Sequence, residues 1–203
     1  MKIGIVVDGV SEYRSLSALY PQLDALSGNQ LIGPLRAPIA PLAPPGVIAR
    51  QCVPRITQLL GRGAGKVVVM FDRETRTDCA GSIATSVETR LRNEGIEAKV
   101  VLKNRMFENW LVADINAIAS LKGRFKVSAA TKGKIVPNKA DNTDALDLLK
   151  RAAKKGAPYD KVADSKRILE KADAATIADN SRSFRKLLRY LDCEKYSDQS
   201  KLP

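Results

Sequence analysis

The chain has 203 residues, 44% of them hydrophobic and 28% charged, which suits one α/β domain or one such domain with a helical appendage. It contains no histidine, which excludes Ser-His-Asp and Cys-His nucleophile systems, H-E-x-x-H zinc hydrolysis and HD-type metal sites. The net charge of +12 favours polyanion partners, nucleic acid before others.

No apolar run approaches about 18 residues and no signal-peptide pattern follows Met1, so neither a membrane span nor a secretion signal is expected. The expected location is the cytoplasm. Cys52, Cys79 and Cys193 are far apart, odd in number and without a C-x-x-C pair. They read as reduced thiols rather than a disulfide framework or a zinc site.

In chain order, Lys2-Ile-Gly-Ile-Val-Val-Asp8 is a short apolar strand that ends in an acid and is followed by Gly9. Ser11 is a candidate N-cap, and Leu16, Leu19, Leu23 and Leu26 recur at helical spacing. This places Asp8 at a strand end and Glu12 in a first helical turn. Residues 31–48 are interrupted by Pro34, Pro38, Pro41, Pro44 and Pro45, so a short strand is expected around Leu31–Ile32 and loop beyond it. Val47 to Leu60 reads as a helix interrupted or kinked by Pro54. Gly61-Arg-Gly-Ala-Gly-Lys66 has the wrong spacing for a Walker A loop and leads into a strand, so it reads as a turn.

The five apolar residues Val67 to Phe71 read as a central strand buried on both faces, the signature of a parallel sheet. The run ends in Asp72-Arg-Glu74. In open α/β sheets the chemistry sits beyond the carboxyl ends of the strands, and carboxylates leaving a strand there suit a hard cation such as Mg²⁺. The simpler alternative for D-x-E is a polar loop that caps the next helix. Ile83, Val87 and Leu91 mark that helix, ending near Gly95, and Ile96 to Leu102 is the next strand. The strand–helix–strand order predicts a βαβ unit with parallel strands.

Phe107-Glu-Asn-Trp-Leu-Val-Ala-Asp114 follows, with Phe107, Trp110 and Leu111 on one helical face as core and Glu108 directed elsewhere, near the strand ends. Between Lys122 and Lys139 stand six cations and no carboxylate, which fits either a solvated loop or an arm that tracks phosphates. Asp141 and Asn142 begin a helix carrying Leu146 and Leu149, with Arg151, Lys154 and Lys155 at its favourable end. Further helices are expected over 161–172 and 181–191. In the last, Phe184, Leu187, Leu188 and Leu191 make the apolar face, and Arg182, Arg185, Lys186 and Arg189 the basic one. Residues 1–100 carry 12 Lys and Arg against 9 Asp and Glu, and residues 101–203 carry 22 against 13, so the basic excess lies in the helical half.

Val7-Asp8-Gly9-Val10-Ser11-Glu12 resembles the V-E-G-x-T-E opening of Toprim domains, shared by topoisomerases, primases and overcoming-lysogenisation-defect nucleases. Asp72-Arg73-Glu74 stands where that fold carries its D-x-D, after the third strand. Together with the Phe107–Asp114 block, Tyr159-Asp-Lys161 and Ser181-Arg-Ser-Phe-Arg185, the chain is similar to a prokaryotic Toprim-like family of unknown function. The resemblance implies a three-layer α/β sandwich with a mostly parallel sheet over residues 1–115, and a basic helical extension over 116–203 packed on it.

It also implies a catalytic set of Asp8, Glu12, Asp72 and Glu74, with Asp8, Asp72, Glu74 and Glu108 as ligands of Mg²⁺ or Mn²⁺. Asp8 replaces the family's Glu and Glu74 its second Asp, one methylene shorter and one longer. The expected activity is metal-dependent phosphodiester hydrolysis of DNA or RNA, in phage defence, with a partner ATPase or other defence protein. Lys103, Arg105, Lys132, Lys134, Arg182 and Arg185 are the expected nucleic-acid contacts, made to the backbone rather than to bases. The alternatives are a binding module of a defence or toxin-like system that uses the same fold without turnover, and phosphoryl or nucleotidyl transfer to a small substrate.

Overall fold

The structure is a computed structural model that describes residues 1–198. Residues 199–203, the last of the expected extension, lie outside the described residues.

Strand β1 (Lys2–Val7) leads through α1 (Val10–Ser15), a 3₁₀ turn (Leu16–Leu19) and α2 (Tyr20–Ser27) into β2 (Gln30–Arg36). Then come α3 (Pro45–Gly61), β3 (Lys66–Asp72), α4 (Ala80–Asn93) and β4 (Lys99–Lys103). The remainder is helical: α5 (Glu108–Ala113), α6 (Ile115–Ser120), α7 (Ala129–Lys132), α8 (Ala145–Ala152), α9 (Ala163–Leu169), α10 (Ala174–Asn180) and α11 (Arg182–Tyr190). The four strands form one parallel sheet in the order β2-β1-β3-β4.

Val67 to Phe71 of β3 are fully buried, as a central parallel strand requires. Alternation along the strands sends side chains to two cores. Ile3, Ile5, Val7, Val68, Met70 and Val101 pack with Leu16, Leu19 and Leu23 and with helices of the second half. Val6, Val67, Val69, Phe71, Val100 and Leu102 pack instead with Ile48, Ile56, Ile83 and Val87 of α3 and α4. The result is a three-layer α/β sandwich. Trp110 and Phe184, 5.1 Å apart edge to face, belong to the first core and tie the late helices to the sheet.

Several elements differ from the sequence reading. Strand β2 runs to Arg36 through a cis Gly33–Pro34 bond, and its register against β1 shifts between Gly4 and Val6. A proline fits there because β2 is an edge strand with a bulge. Helix α3 runs unbroken through Pro54; the proline is exposed, and solvent can take the carbonyl it leaves unpaired. The first long helix breaks into α1, a 3₁₀ turn and α2, with Pro21 in the first turn of α2 and Gly9 rather than Ser11 as the N-cap of α1. Helix α8 starts at Asp144, whose side chain accepts from Asp147 N, and not at Asp141.

The topology locates one crevice. The β1-to-β2 connection packs on one face of the sheet, whereas α3 and α4 pack on the other. Strand order therefore reverses between β1 and β3, a switch point where the loops part. The Gly61–Lys66 turn lies at the opposite end of the sheet, where Gly65 N donates to Lys2 O. Among the described residues, no helix is long and apolar enough to cross a membrane.

Candidate active site

Asp8 follows β1 directly and Asp72 ends β3, so both stand at the carboxyl edge beside the switch point. Asp72 N donates to Asp8 Oδ2 at 3.0 Å, joining the two strand ends. Gly9 turns the chain into α1, whose first turn brings Glu12 back over it. A Cβ at Gly9 would overlap Glu12 Oε2; the absence of a side chain allows that approach. Asp8, Glu12 and Asp72 each offer an oxygen, all within 4.8 Å of one another.

Lys103 sits in their midst. It ends β4 opposite Asp72 in the strand register and is fully buried. Its Nζ lies 2.9 Å from Asp8 Oδ1 and 3.0 Å from Asp72 Oδ1, and it also contacts Glu12 Oε1. The Lys103 ammonium is the group that faces the buried Asp72 Oδ1. The ammonium also lies 5.7 Å from the Phe107 ring centroid, an additional cation–π contact.

Three ionised carboxylates around one ammonium leave two negative charges uncompensated. The buried groups respond unequally. Burial works to raise the Asp8 carboxyl, but Lys103 and the Asp72 N–H outweigh it and hold Asp8 below the usual range. Burial and the charge on Asp8 push Glu12 up. Burial, with Asp8 and Glu12 as neighbours, pushes Asp72 up to about 7 against the pull of Lys103. Lys103 is held well above its ordinary value because the three carboxylates overcome its burial. Asp8 is therefore the ionised member, and Asp72 changes charge near neutrality.

These features fit a divalent cation. The donors are hard oxygens, which Mg²⁺ and Mn²⁺ prefer, and full ionisation of all three leaves a charge of two beyond what Lys103 offsets. Asp8, Glu12 and Asp72 are the residues that would hold it.

The other expected site residues lie elsewhere. Glu74 is exposed, at a left-handed backbone position (φ 51°), with its N–H donated to Arg105 O; its carboxylate is outside the cluster. Glu108 is buried in α5 and pairs with Lys161 Nζ at 3.1 Å, also outside the cluster. Lys103, expected as a surface contact to phosphate, is instead the buried centre of the site, because it still belongs to β4. Arg105, Lys132, Lys134 and Arg182 are exposed.

Arg185, expected on the basic face of α11, is buried. It donates to Ala178 O and Asn138 Oδ1, securing a loop and the end of α10. The Ser181–Arg185 motif is likewise structural: Ser181 Oγ caps α11 by accepting from Phe184 N, and buried Asp141 accepts from Ser181 Oγ, Ser183 Oγ and Ser183 N. Ser183 Oγ accepts in turn from Trp110 Nε1.

A family model described as a domain of unknown function (DUF4276) matches residues 21–192. That span includes Asp72 and Lys103 and begins after Asp8 and Glu12. No curated protein and no solved structure matches the chain.

Proposed function

We propose that this chain, which belongs to the DUF4276 family, is a divalent-metal-dependent phosphodiesterase acting on nucleic acid. The observation that carries this reading is the convergence of Asp8, Glu12 and Asp72 within 4.8 Å at the switch point of a parallel sheet. Two of the three, Asp8 and Asp72, are the strand-end acids that the Toprim resemblance singles out.

Mg²⁺ or Mn²⁺ held by Asp8, Glu12 and Asp72 would supply an activated water and polarise a phosphoryl oxygen. Asp8, ionised at all ordinary pH, supplies a permanent negative charge. Asp72, pushed up to about 7 in the metal-free protein, must give up its proton to serve as a ligand, so metal binding is coupled to proton release. Lys103 keeps the carboxylates assembled by offsetting part of their charge.

The test is cleavage of supercoiled plasmid and of labelled single-stranded DNA and RNA, with Mg²⁺, Mn²⁺ or EDTA, beside Asp72→Asn. The reading predicts metal-dependent nicking or degradation that the variant loses. Cleavage that persists in EDTA or in the variant would overturn it.

One observation favours a second reading. Lys103 already occupies the middle of the carboxylates, so the cluster is partly neutralised without a metal. On that reading the chain binds nucleic acid without turnover in a defence or toxin-like system, and neither protein cleaves while both bind equally.

A further inference from the structure

Beside the acidic cluster lies a cleft of about 460 Å³ lined by Val10, Tyr13, Arg14, Arg36, Pro38 and Arg55. Three guanidiniums line it and, among the described residues, no carboxylate does. Arg14, Arg36 and Arg55 are exposed, and among the described residues none of them is ion-paired.

The cleft is joined to the site by the chain itself. Tyr13 and Arg14 follow Glu12 in α1. Arg36 Nε donates to Asp8 O at 3.1 Å, and Arg55 Nε donates to Arg36 O at 2.9 Å. These bonds go to backbone carbonyls through Nε, which leaves the terminal nitrogens of Arg36 without an acceptor among the described residues; Arg55 spends one more on Gln58 Oε1. Planar guanidiniums with open nitrogens suit phosphate oxygens, which they grip in pairs.

Val10 and Tyr13 are 39% and 46% exposed, and an exposed ring offers a stacking face. Tyr13 and Arg14 also line a second cleft, with Asp160, Val162, Ala163 and Lys166, where a carboxylate joins the cations.

We infer that this cleft is a binding site for a single-stranded nucleic acid, with backbone phosphates on Arg14, Arg36 and Arg55 and a base against Tyr13. The inference deepens the proposed function by naming where its substrate lies, and it concerns binding alone. A double helix presents its bases inward and would leave Tyr13 without a stacking partner, whereas a single strand can use both the charge and the ring.

The test is fluorescence anisotropy of a labelled single-stranded DNA oligonucleotide of about 12 nucleotides, in EDTA, over a range of salt concentrations. Arg14→Ala/Arg55→Ala should weaken binding on the order of tenfold or more near 0.1 M salt. It should also make the plot of log affinity against log salt shallower by about 1.4, or about 0.7 for each lost phosphate contact. Arg14→Lys/Arg55→Lys should keep most of the slope, because the charge remains, and Tyr13→Ala should weaken binding severalfold with the slope unchanged. Lys154→Ala/Lys155→Ala, which removes two exposed cations after α8, controls for net charge.

A loss in the arginine pair no larger than in that control would overturn the inference, as would a wild-type protein that does not bind the oligonucleotide. Because EDTA prevents metal-dependent turnover, the outcome is independent of cleavage. Arginine-dependent binding without cleavage in the plasmid and oligonucleotide assay leaves the cleft and removes the enzyme. Cleavage without arginine-dependent binding does the reverse.

Discussion

Lys103 carries the charge balance of the site, and its burial makes that role testable. Removing one partner of a buried ionic cluster leaves like charges facing one another, which costs about 3–5 kcal/mol. Lys103→Met should therefore lower the melting temperature, and Mn²⁺ should restore more of it in the variant than in the wild type. A variant as stable as the wild type would mean the carboxylates do not depend on the ammonium. At Gly9 the argument is steric. Its φ of −91° suits any residue, but a methyl group would displace the Glu12 carboxylate. Gly9→Ala should fold and lose metal-dependent activity, with unchanged activity as the contrary result.

Asp72 predicts a pH dependence whose sign can be worked out. Its carboxyl is raised from 3.8 to about 7 in the folded protein, so between those values the native state holds a proton that the unfolded chain has released. Stability from this group is complete below about pH 4 and falls as pH rises towards 7. Asp8, held low, acts in the opposite direction and only below its ordinary range. In urea unfolding without metal, the midpoint should fall between pH 4 and 7 in the wild type, and Asp72→Asn should remove that component of the fall. An identical pH profile in the two proteins would contradict the assignment.

At the scale of elements, what the sequence made legible follows from how local each signal is. Asp8 and Asp72 end apolar runs, so a strand-end acid could be read directly. Glu12 followed from a glycine turn into a helix. Lys103 was harder, because a lysine after Val100-Val-Leu102 looks like the first residue past a strand. Only the pairing of β3 with β4, which sets it opposite Asp72, reveals its place. Glu74 misled in the opposite way: i, i+2 spacing suggests a shared cation, but the chain turns left-handed at Glu74 and carries its carboxylate away.

The motifs in the second half prove to be structural where their contacts are visible. Glu108 meets Lys161, and Trp110 meets Ser183, which meets Asp141. Asp141 accepts three hydrogen bonds in a buried setting. Asp141→Ala should cost about 2–3 kcal/mol by stranding buried donors, read from denaturant unfolding; a change under about 0.5 kcal/mol, typical of exposed positions, would contradict this account.

At the scale of the molecule, the two halves are bound by one core. The first-face core joins β1, β3 and β4 to α5, α8, α10 and α11, so the basic helices form a layer of the sandwich. The net charge of +12 therefore surrounds an acidic centre with a residual charge of opposite sign. Such an arrangement attracts a polyanion to the surface and a cation to the centre.

The most direct measurement is titration calorimetry with Mn²⁺ at pH 6, comparing the wild type with Asp72→Asn. The account predicts binding of a metal ion at the cluster with release of protons, since Asp72 and Glu12 are pushed up in the free protein and must ionise to serve as ligands. The variant should bind far more weakly and release fewer protons. Binding of equal strength in both proteins, or no binding in the wild type, would contradict it.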